Sequence, residues 1–331
     1  MFYKNLILLT TLLAFATIIL GANTRLSNAG LSCPDWPGCY GKLWLPKSDV
    51  AIKQAEQLYP QKPLKIEKAG KEMLHRYLAA SLGLLVLFIN IFSWKNKKTK
   101  HYPIILPAIL LIVVILQALL GMWTVTLLLK PIVVLSHLLL GFTTLVLLFW
   151  LSILSSINFK KITIPGLASY KKFAALALLI VICQISLGGW TSSNYAALVC
   201  PDFPTCQKEW FPEVDFKQAF VLWREVGIDY EGGVLSPQAR MAIHITHRLG
   251  AIICLVYLLS LVFIIVKNRL ALKFKRLSIF IAVLVCSQFL LGISNVVFSL
   301  PLFIATLHNA VAAILLLSVF FLNYLFYQAA K

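Results

Sequence analysis

"AGLSCPDWPGCYGKL" occupies residues 29–43, and "ALVCPDFPTCQKEW" occupies residues 197–210. Both carry Cys-Pro-Asp, an aromatic residue, proline, one further residue and cysteine, so one clip is written twice in a single chain. Self-similarity at a long offset points to an internal repeat and directs the search outward from the clips. His75-Arg76 is echoed by His247-Arg248, and Gln117-Ala-Leu-Leu-Gly121 by Gln288-Phe-Leu-Leu-Gly292. The spacing from Gly121 to His137 is repeated from Gly292 to His308. The chain therefore reads as two halves on one plan, 1–160 and 161–331.

The rest of each half is apolar. Of 331 residues, 60% are hydrophobic and only 13% are charged, with a mean hydropathy of +0.86. A water-soluble domain cannot hide that much apolar surface, so the chain reads as an all-α integral membrane protein whose surroundings are lipid. Eight runs near the ~20 residues that cross a bilayer as a helix lie at 6–23, 73–94, 103–124, 131–154, 172–191, 241–266, 276–298 and 302–327. The net charge of +18 is spread in short clusters between apolar runs, a pattern of membrane topology and not of nucleic-acid binding. The densest are Lys95, Lys97, Lys98 and Lys100; Lys160, Lys161, Lys171 and Lys172; and Lys267, Arg269, Lys273, Lys275 and Arg276. These follow the second, fourth and sixth runs and are expected in the cytoplasm. Both termini then lie inside and both clips outside. His101, among the first of these lysines, is expected to be solvated. Four helices per half is an even number, so the halves share one orientation: two four-helix bundles as a parallel repeat. The first run, preceded by Lys4, also fits a signal peptide. Its Leu-Gly ending recurs in runs that cannot be signals, which favours a retained helix.

His75, His137, His247 and His308 fall one each on the second, fourth, sixth and eighth runs. Ionisable groups in lipid are costly unless paired or liganded, and facing helices that each offer an imidazole are how a bundle holds a cofactor. Structural zinc asks for four protein ligands and catalytic zinc for three. Two axial imidazoles suit haem iron, where the porphyrin supplies the rest. Two haem sites are expected, one per half. Arg76 and Arg248, beside their histidines, read either as partners of haem propionates or as topological anchors. The symmetry breaks three residues earlier, where Glu72 in the first half faces His244 in the second. Residues at i and i+3 share a helix face, so Glu72 is expected beside His75, as a base or stabiliser of positive charge or as a first-turn partner of the helix dipole. A carboxylate at only one site suggests one catalytic and one electron-carrying haem. Leu20-Gly21, Leu120-Gly121, Leu187-Gly188 and Leu291-Gly292 end the odd runs, and read as close helix packing in preference to cofactor contact.

On the oxidising side, Cys33 with Cys39 and Cys200 with Cys206 are placed to form disulfides, as structural staples or as redox pairs. Two cysteines without a nearby histidine fall short of a zinc site. Cys183, Cys254 and Cys286, inside apolar runs, are expected only to pack.

Taken together, the Glu-x-x-His-Arg helix, the four histidines, the repeated halves and "GLSCPDWPGCYG" (residues 30–41) resemble the haem A synthase family, of the bacterial type with extracytoplasmic cysteine pairs. The resemblance covers nearly the whole chain and implies a membrane oxidoreductase in a bacterial cytoplasmic (inner) membrane. It would convert haem O to haem A for cytochrome c oxidase, taking the C8 methyl to formyl by successive hydroxylations and loss of water. It further implies that His75 and His137 flank the substrate haem O with Glu72 as catalytic carboxylate, and that His247 and His308 ligate a haem b cofactor. Cys33 and Cys39 match a pair associated with some bacterial members. The mitochondrial branch lacks it, so the chemistry itself does not require it. No role follows for His244. A membrane electron carrier and a haem O synthase that hands over its water-averse product are the implied partners, and homo-oligomerisation stays open. The alternative is a di-haem b electron carrier without chemistry of its own, which leaves Glu72 without a task.

Overall fold

The computed structural model describes residues 2–46, 48–97, 103–156, 168–268 and 271–329. Its order among these residues is helical: α1 (Phe2–Leu26), α2 (Asp49–Leu58), α3 (Ile66–Lys95), α4 (Ile105–Thr126), α5 (Pro131–Ser156), α6 (Ala168–Ser193), α7 (Phe216–Ala219), α8 (Pro237–Lys267), α9 (Leu272–Val297) and α10 (Leu302–Ala329). Eight of them, all but α2 and α7, are long and apolar enough to span a membrane, one for each predicted run. In lipid every main-chain N–H and C=O must be satisfied within the segment, which leaves the helix as the available form. Hydroxyls follow the same rule: Thr10, Thr11, Thr17 and Thr24 on α1 each donate to the carbonyl four residues back. Large side chains such as Ile105, Ile112 and Ile115 on α4 lie exposed, as lipid-facing spans require. Lys98, Lys100, His101, Lys160, Lys161 and Arg269 lie outside the described residues, so the expectations for them do too.

Five helices start earlier than hydropathy suggests, α1, α3, α6, α8 and α9, and two of them carry the site. α3 begins at Ile66, before the expected 73, and α8 at Pro237, before 241. The first turns of α3 and α8 are polar, so they escape an apolar count, and α8 has local chemistry to support its start. Ser236 caps α8 by accepting the Ala239 N–H at 3.2 Å, and Pro237 stands in the first turn, where its missing N–H costs nothing. His75 and His247 are therefore more than two turns inside their helices, not at the openings.

The chain divides into two compact units, the first holding the chain up to Ile157 together with Leu222–Val234, the second Asn158–Val221 and Leu235–Lys331. In the first, α1 packs on α3 and α5, and α4 closes the ring by packing on the same two helices, which puts α3 and α5 on opposite sides. Tyr3 on α1 bonds Ser93 on α3 at 2.7 Å, and Asn90 donates to the Pro107 carbonyl of α4 at 2.7 Å. The Leu222–Val234 segment is pinned by Tyr230, whose N–H donates to Leu128 O at 3.0 Å and whose ring is buried against Leu31, Val125 and Leu129. In the second unit, α6 and α9 each pack on α8 and α10, again a closed ring with α8 opposite α10. Asn323 on α10 donates to Ala174 O on α6 at 2.8 Å, and Tyr257 on α8 donates to Phe173 O at 3.0 Å.

Candidate functional site

Each cysteine clip closes into a disulfide, Cys33–Cys39 and Cys200–Cys206. What shapes the loop is the turn that follows the second cysteine. Cys39 and Lys42 exchange main-chain hydrogen bonds of 2.8 and 3.2 Å, and Cys206 and Glu209 bonds of 3.0 and 3.1 Å. The two residues between, Tyr40 and Gly41 in one clip and Gln207 and Lys208 in the other, all have positive φ. That is the pattern of a tight type I′ hairpin turn, unfavourable for residues other than Gly and Asn. The aspartate of each Cys-Pro-Asp offsets the cost by capping the turn amides. Asp35 accepts from Tyr40 N at 2.6 Å and Gly41 N at 2.7 Å; Asp202 accepts from Gln207 N at 2.6 Å and Lys208 N at 2.9 Å. In the first clip Tyr40 is buried, and its hydroxyl donates to Lys62 O at 2.8 Å. Burial, then the Glu56, Asp35 and Glu72 carboxylates, push its phenol above the ordinary value.

Arg76 and Arg248 tie these clips to the helices. Arg76 Nη1 donates to the carbonyls of Asp35 at 2.9 Å, Pro37 at 3.3 Å and Gly38 at 2.5 Å. Arg248 donates to Asp202 O at 2.8 Å, Thr205 O at 2.8 Å, Cys200 O at 3.2 Å and Pro204 O at 3.4 Å. A guanidinium presents several donors in a fixed fork, so one side chain can gather a whole loop of carbonyls. Glu72 belongs to the same assembly. It is 4% exposed; one oxygen accepts the Cys33 N–H at 2.9 Å and the other accepts Arg76 Nη2 at 2.5 Å. The carboxylate that the sequence sets beside His75 is thus aimed by the first clip. Its counterpart His244 is also buried, on the same side of α8 as His247 by the i, i+3 rule.

The four histidines come together in pairs. His75 on α3 and His137 on α5 belong to opposite helices of the first ring, within electrostatic range of each other; His247 on α8 and His308 on α10 do the same in the second. Nδ1 of His75, His137 and His308 is buried without a hydrogen-bond partner, as is that of His244, and His247 Nδ1 meets Gln184 Nε2 at 3.0 Å. Buried nitrogens without partners are costly unless something absent from the polypeptide takes up the ring. Gln117 and Gln184 brace the helices behind the rings, donating to His137 O at 2.9 Å and His247 O at 3.0 Å. Among the described residues no three His, Cys, Asp or Glu side chains converge as they would around a bare metal ion. Paired imidazoles without further protein ligands fit a metal that brings its own macrocycle. The sequence reading did not single out Asp35, Asp202, Gln117 or Gln184 for these tasks. The recurrence of the aspartate in both clips, and of Gln117 as Gln288, was the available signal. Cys254 is buried within α8, and Cys183 and Cys286 are exposed on their helices; all three are free thiols.

Residues 4–320 match the COX15-CtaA family, described as cytochrome oxidase assembly protein. The chain is 42% identical over 326 residues to a protein of Shewanella oneidensis named heme A synthase, covering 98% of this chain and 97% of that one. A heme A synthase of Caulobacter vibrioides is 27% identical over 323 residues, 92% of this chain and 90% of the relative. One of Flavobacterium psychrophilum is 25% identical over 324 residues, 92% of each chain.

Proposed function

Because the chain belongs to the COX15-CtaA family of cytochrome oxidase assembly proteins, we propose that it is a haem A synthase that converts haem O to haem A for cytochrome c oxidase. The observation that carries the reading is the pair of half-buried histidines on opposite helices of each ring, and in the first ring alone a buried carboxylate, Glu72, three residues before one of them. In the first half, 1–160, His75 and His137 hold the substrate haem O. In the second, 161–331, His247 and His308 ligate haem b, and the two halves form a parallel repeat. Bound haem b supplies one-electron transfer.

Replacing two C–H bonds of the C8 methyl by the C=O of a formyl group is a four-electron oxidation, reached by successive hydroxylations and loss of water. With water as the source of the oxygen atom, four protons are released and the four electrons leave to a membrane electron carrier. Glu72 is the catalytic carboxylate that takes up protons or offsets positive charge at the substrate. The Cys33 N–H and Arg76 hold its oxygens in place, and preorganised groups of this kind act without reorientation during reaction. Arg76 and Arg248 stand at the clip end of their helices, where a propionate would add to the carbonyls they already hold. The protein sits in a bacterial cytoplasmic membrane with both termini inside and both disulfide clips outside, and receives haem O from its synthase within the bilayer. An electron carrier without chemistry leaves Glu72 only the task of tying the first clip to α3.

Haems extracted from the purified protein and identified by mass test this directly. Haem b together with haem O, haem A or a hydroxylated intermediate is expected. Haem b alone, at two per chain, would sink the proposal. Glu72→Gln is expected to keep haem b and accumulate haem O; normal haem A in that variant would remove the carboxylate from the chemistry.

A further inference from the structure

Each ring of the four paired histidines, His75, His137, His247 and His308, lies against a glycine of a neighbouring helix, the glycine of a Leu-Gly pair. A Cβ built on Gly21 of α1 would fall 2.7 Å from His75 Cε1, one on Gly121 of α4 3.2 Å from His137 Cε1, one on Gly188 of α6 3.2 Å from His247 Cε1, and one on Gly292 of α9 3.5 Å from His308 Cε1. The first separation is one that real Cβ atoms do not adopt, the next two are tighter than nearly all Cβ contacts, and the last is ordinary van der Waals contact. Other helical glycines differ. On α3, Gly70 and Gly83 would place a Cβ 3.7 Å from Leu45 Cδ1 and 3.8 Å from Val114 Cγ1, both relaxed and both facing aliphatic carbon.

Cε1 lies between the two ring nitrogens, so whatever meets it sets the direction of both. An imidazole has two side-chain torsions, and its Cα is fixed by the helix. The facing surface therefore decides where the ring points. In two of the pairs the fit is reciprocal. A Cβ on Gly141, one turn after His137, would lie 3.2 Å from Gln117 Nε2, and one on Gly250, just after His247, would collide with Gln184 Oε1. Gln117 and Gln184 are the residues that donate to His137 O and His247 O. A glycine on one helix thus receives the histidine, and a glycine on the other receives the glutamine.

We infer that Gly21, Gly121 and Gly188 are positioning residues that orient His75, His137 and His247 toward their haems, whereas Gly292 leaves His308 free of this constraint. The inference rests on the histidines being haem ligands, as proposed above. Plain helix packing, the ordinary use of small residues in membranes, would make all four glycines matter through stability alone. Positioning makes three of them matter through the iron.

The second half provides the test, because one site there is predicted to have one constrained and one unconstrained ligand. Gly188→Ala, Gly292→Ala and, as a control on α3, Gly83→Ala are purified, and optical and electron paramagnetic resonance spectra are recorded beside thermal stability. Gly188→Ala is expected to show a high-spin component at the expense of the low-spin haem b signal, with a shifted midpoint potential; Gly292→Ala and Gly83→Ala are expected to keep the wild-type signature. An unchanged haem b signature in folded Gly188→Ala, or an equal change in Gly292→Ala, would overturn the inference. His247→Leu separates the two levels of the argument. Loss of haem b in His247→Leu with an unaltered Gly188→Ala spectrum removes the positioning role and keeps the haem reading, while a wild-type haem b spectrum in His247→Leu removes the haem reading itself. If Gly188→Ala does not accumulate, Gly121→Ala gives the same reading at His137 through the spectrum of retained substrate haem, and a wild-type spectrum there counts against positioning.

Discussion

Asp202 meets the helix of His247 through its main-chain carbonyl on Arg248, while its carboxylate decides the backbone of the second clip. The Thr205 hydroxyl, then the Lys208 and Gln207 amides, hold its carboxyl below the ordinary carboxylate range. A group whose folded-state pKa is depressed stabilises the fold at any pH above its unfolded value, and the contribution is lost as the pH falls through the depressed value. Amide protection at Gln207 and Lys208, followed by hydrogen exchange, is therefore expected to persist through mild acid and to fail only below the usual aspartate range. Thr205→Val removes the leading donor and is expected to move that failure to higher pH. A midpoint shared by wild type and variant would show that the hydroxyl does not set the carboxyl's affinity for protons. Asp35 and Asp202 stand in plain view in both copies of the clip. Their task was not legible because the amides they cap converge only once Tyr40–Gly41 and Gln207–Lys208 adopt positive φ.

At the scale of elements, the clip and the helix beside it form one device, and the arginine is the joint. Four carbonyls of the second clip accept from Arg248, from Cys200 to Thr205. Hydrogen bonds to a charged partner contribute about 1.5–3 kcal/mol each at best, and less where water competes. A lysine has the charge but not the planar fork, and can serve only part of this set. Arg248→Lys is expected to loosen the clip by a few kcal/mol at most while α8 stays helical, seen as faster proteolysis or exchange confined to 200–209. Exchange unchanged there would mean that the disulfide and Asp202 hold the loop without the arginine. Periodic apolar runs made the spans readable. The polar first turns of α3 and α8 were not, because their stability comes from a cap at Ser236 and from tertiary contacts, neither of which a hydropathy count registers. The glycines show the same limit. Their spacing before His137 and His308 was visible as a repeat, but that each one receives a ring depends on the pairing of α1 with α3, α4 with α5, α6 with α8 and α9 with α10.

For the whole molecule the open quantity is which end of the spans faces the cytoplasm, and charge alone decides it less firmly than the lysine clusters suggest. Lys95 and Lys97 close α3, Lys171 and Lys172 open α6, and Lys273, Lys275 and Arg276 open α9, all at the ends away from the clips. Yet Lys42, Lys53, Lys62, Lys65, Lys68 and Lys71 crowd the clip end of the first unit. Positive charge orients a protein mainly through its short loops, whereas long segments are carried across largely regardless of it. The disulfides support the proposed orientation, since such bonds persist where thiols oxidise and are rare in the cytosol. Trp44 and Trp210, each a few residues past its clip and about 70% exposed, fit a headgroup level at the clip end of their own units, where amphipathic rings gather. Single cysteines introduced at Lys53 on α2 and Lys217 on α7 are therefore expected to react with a membrane-impermeant maleimide in intact cells, and one at Lys273 on α9 only after the membrane is opened. Labelling of Lys273→Cys in intact cells, with Lys53→Cys protected, would invert the topology. It would put the clips in a reducing compartment, where Glu72 would lose the closed loop that now donates to it.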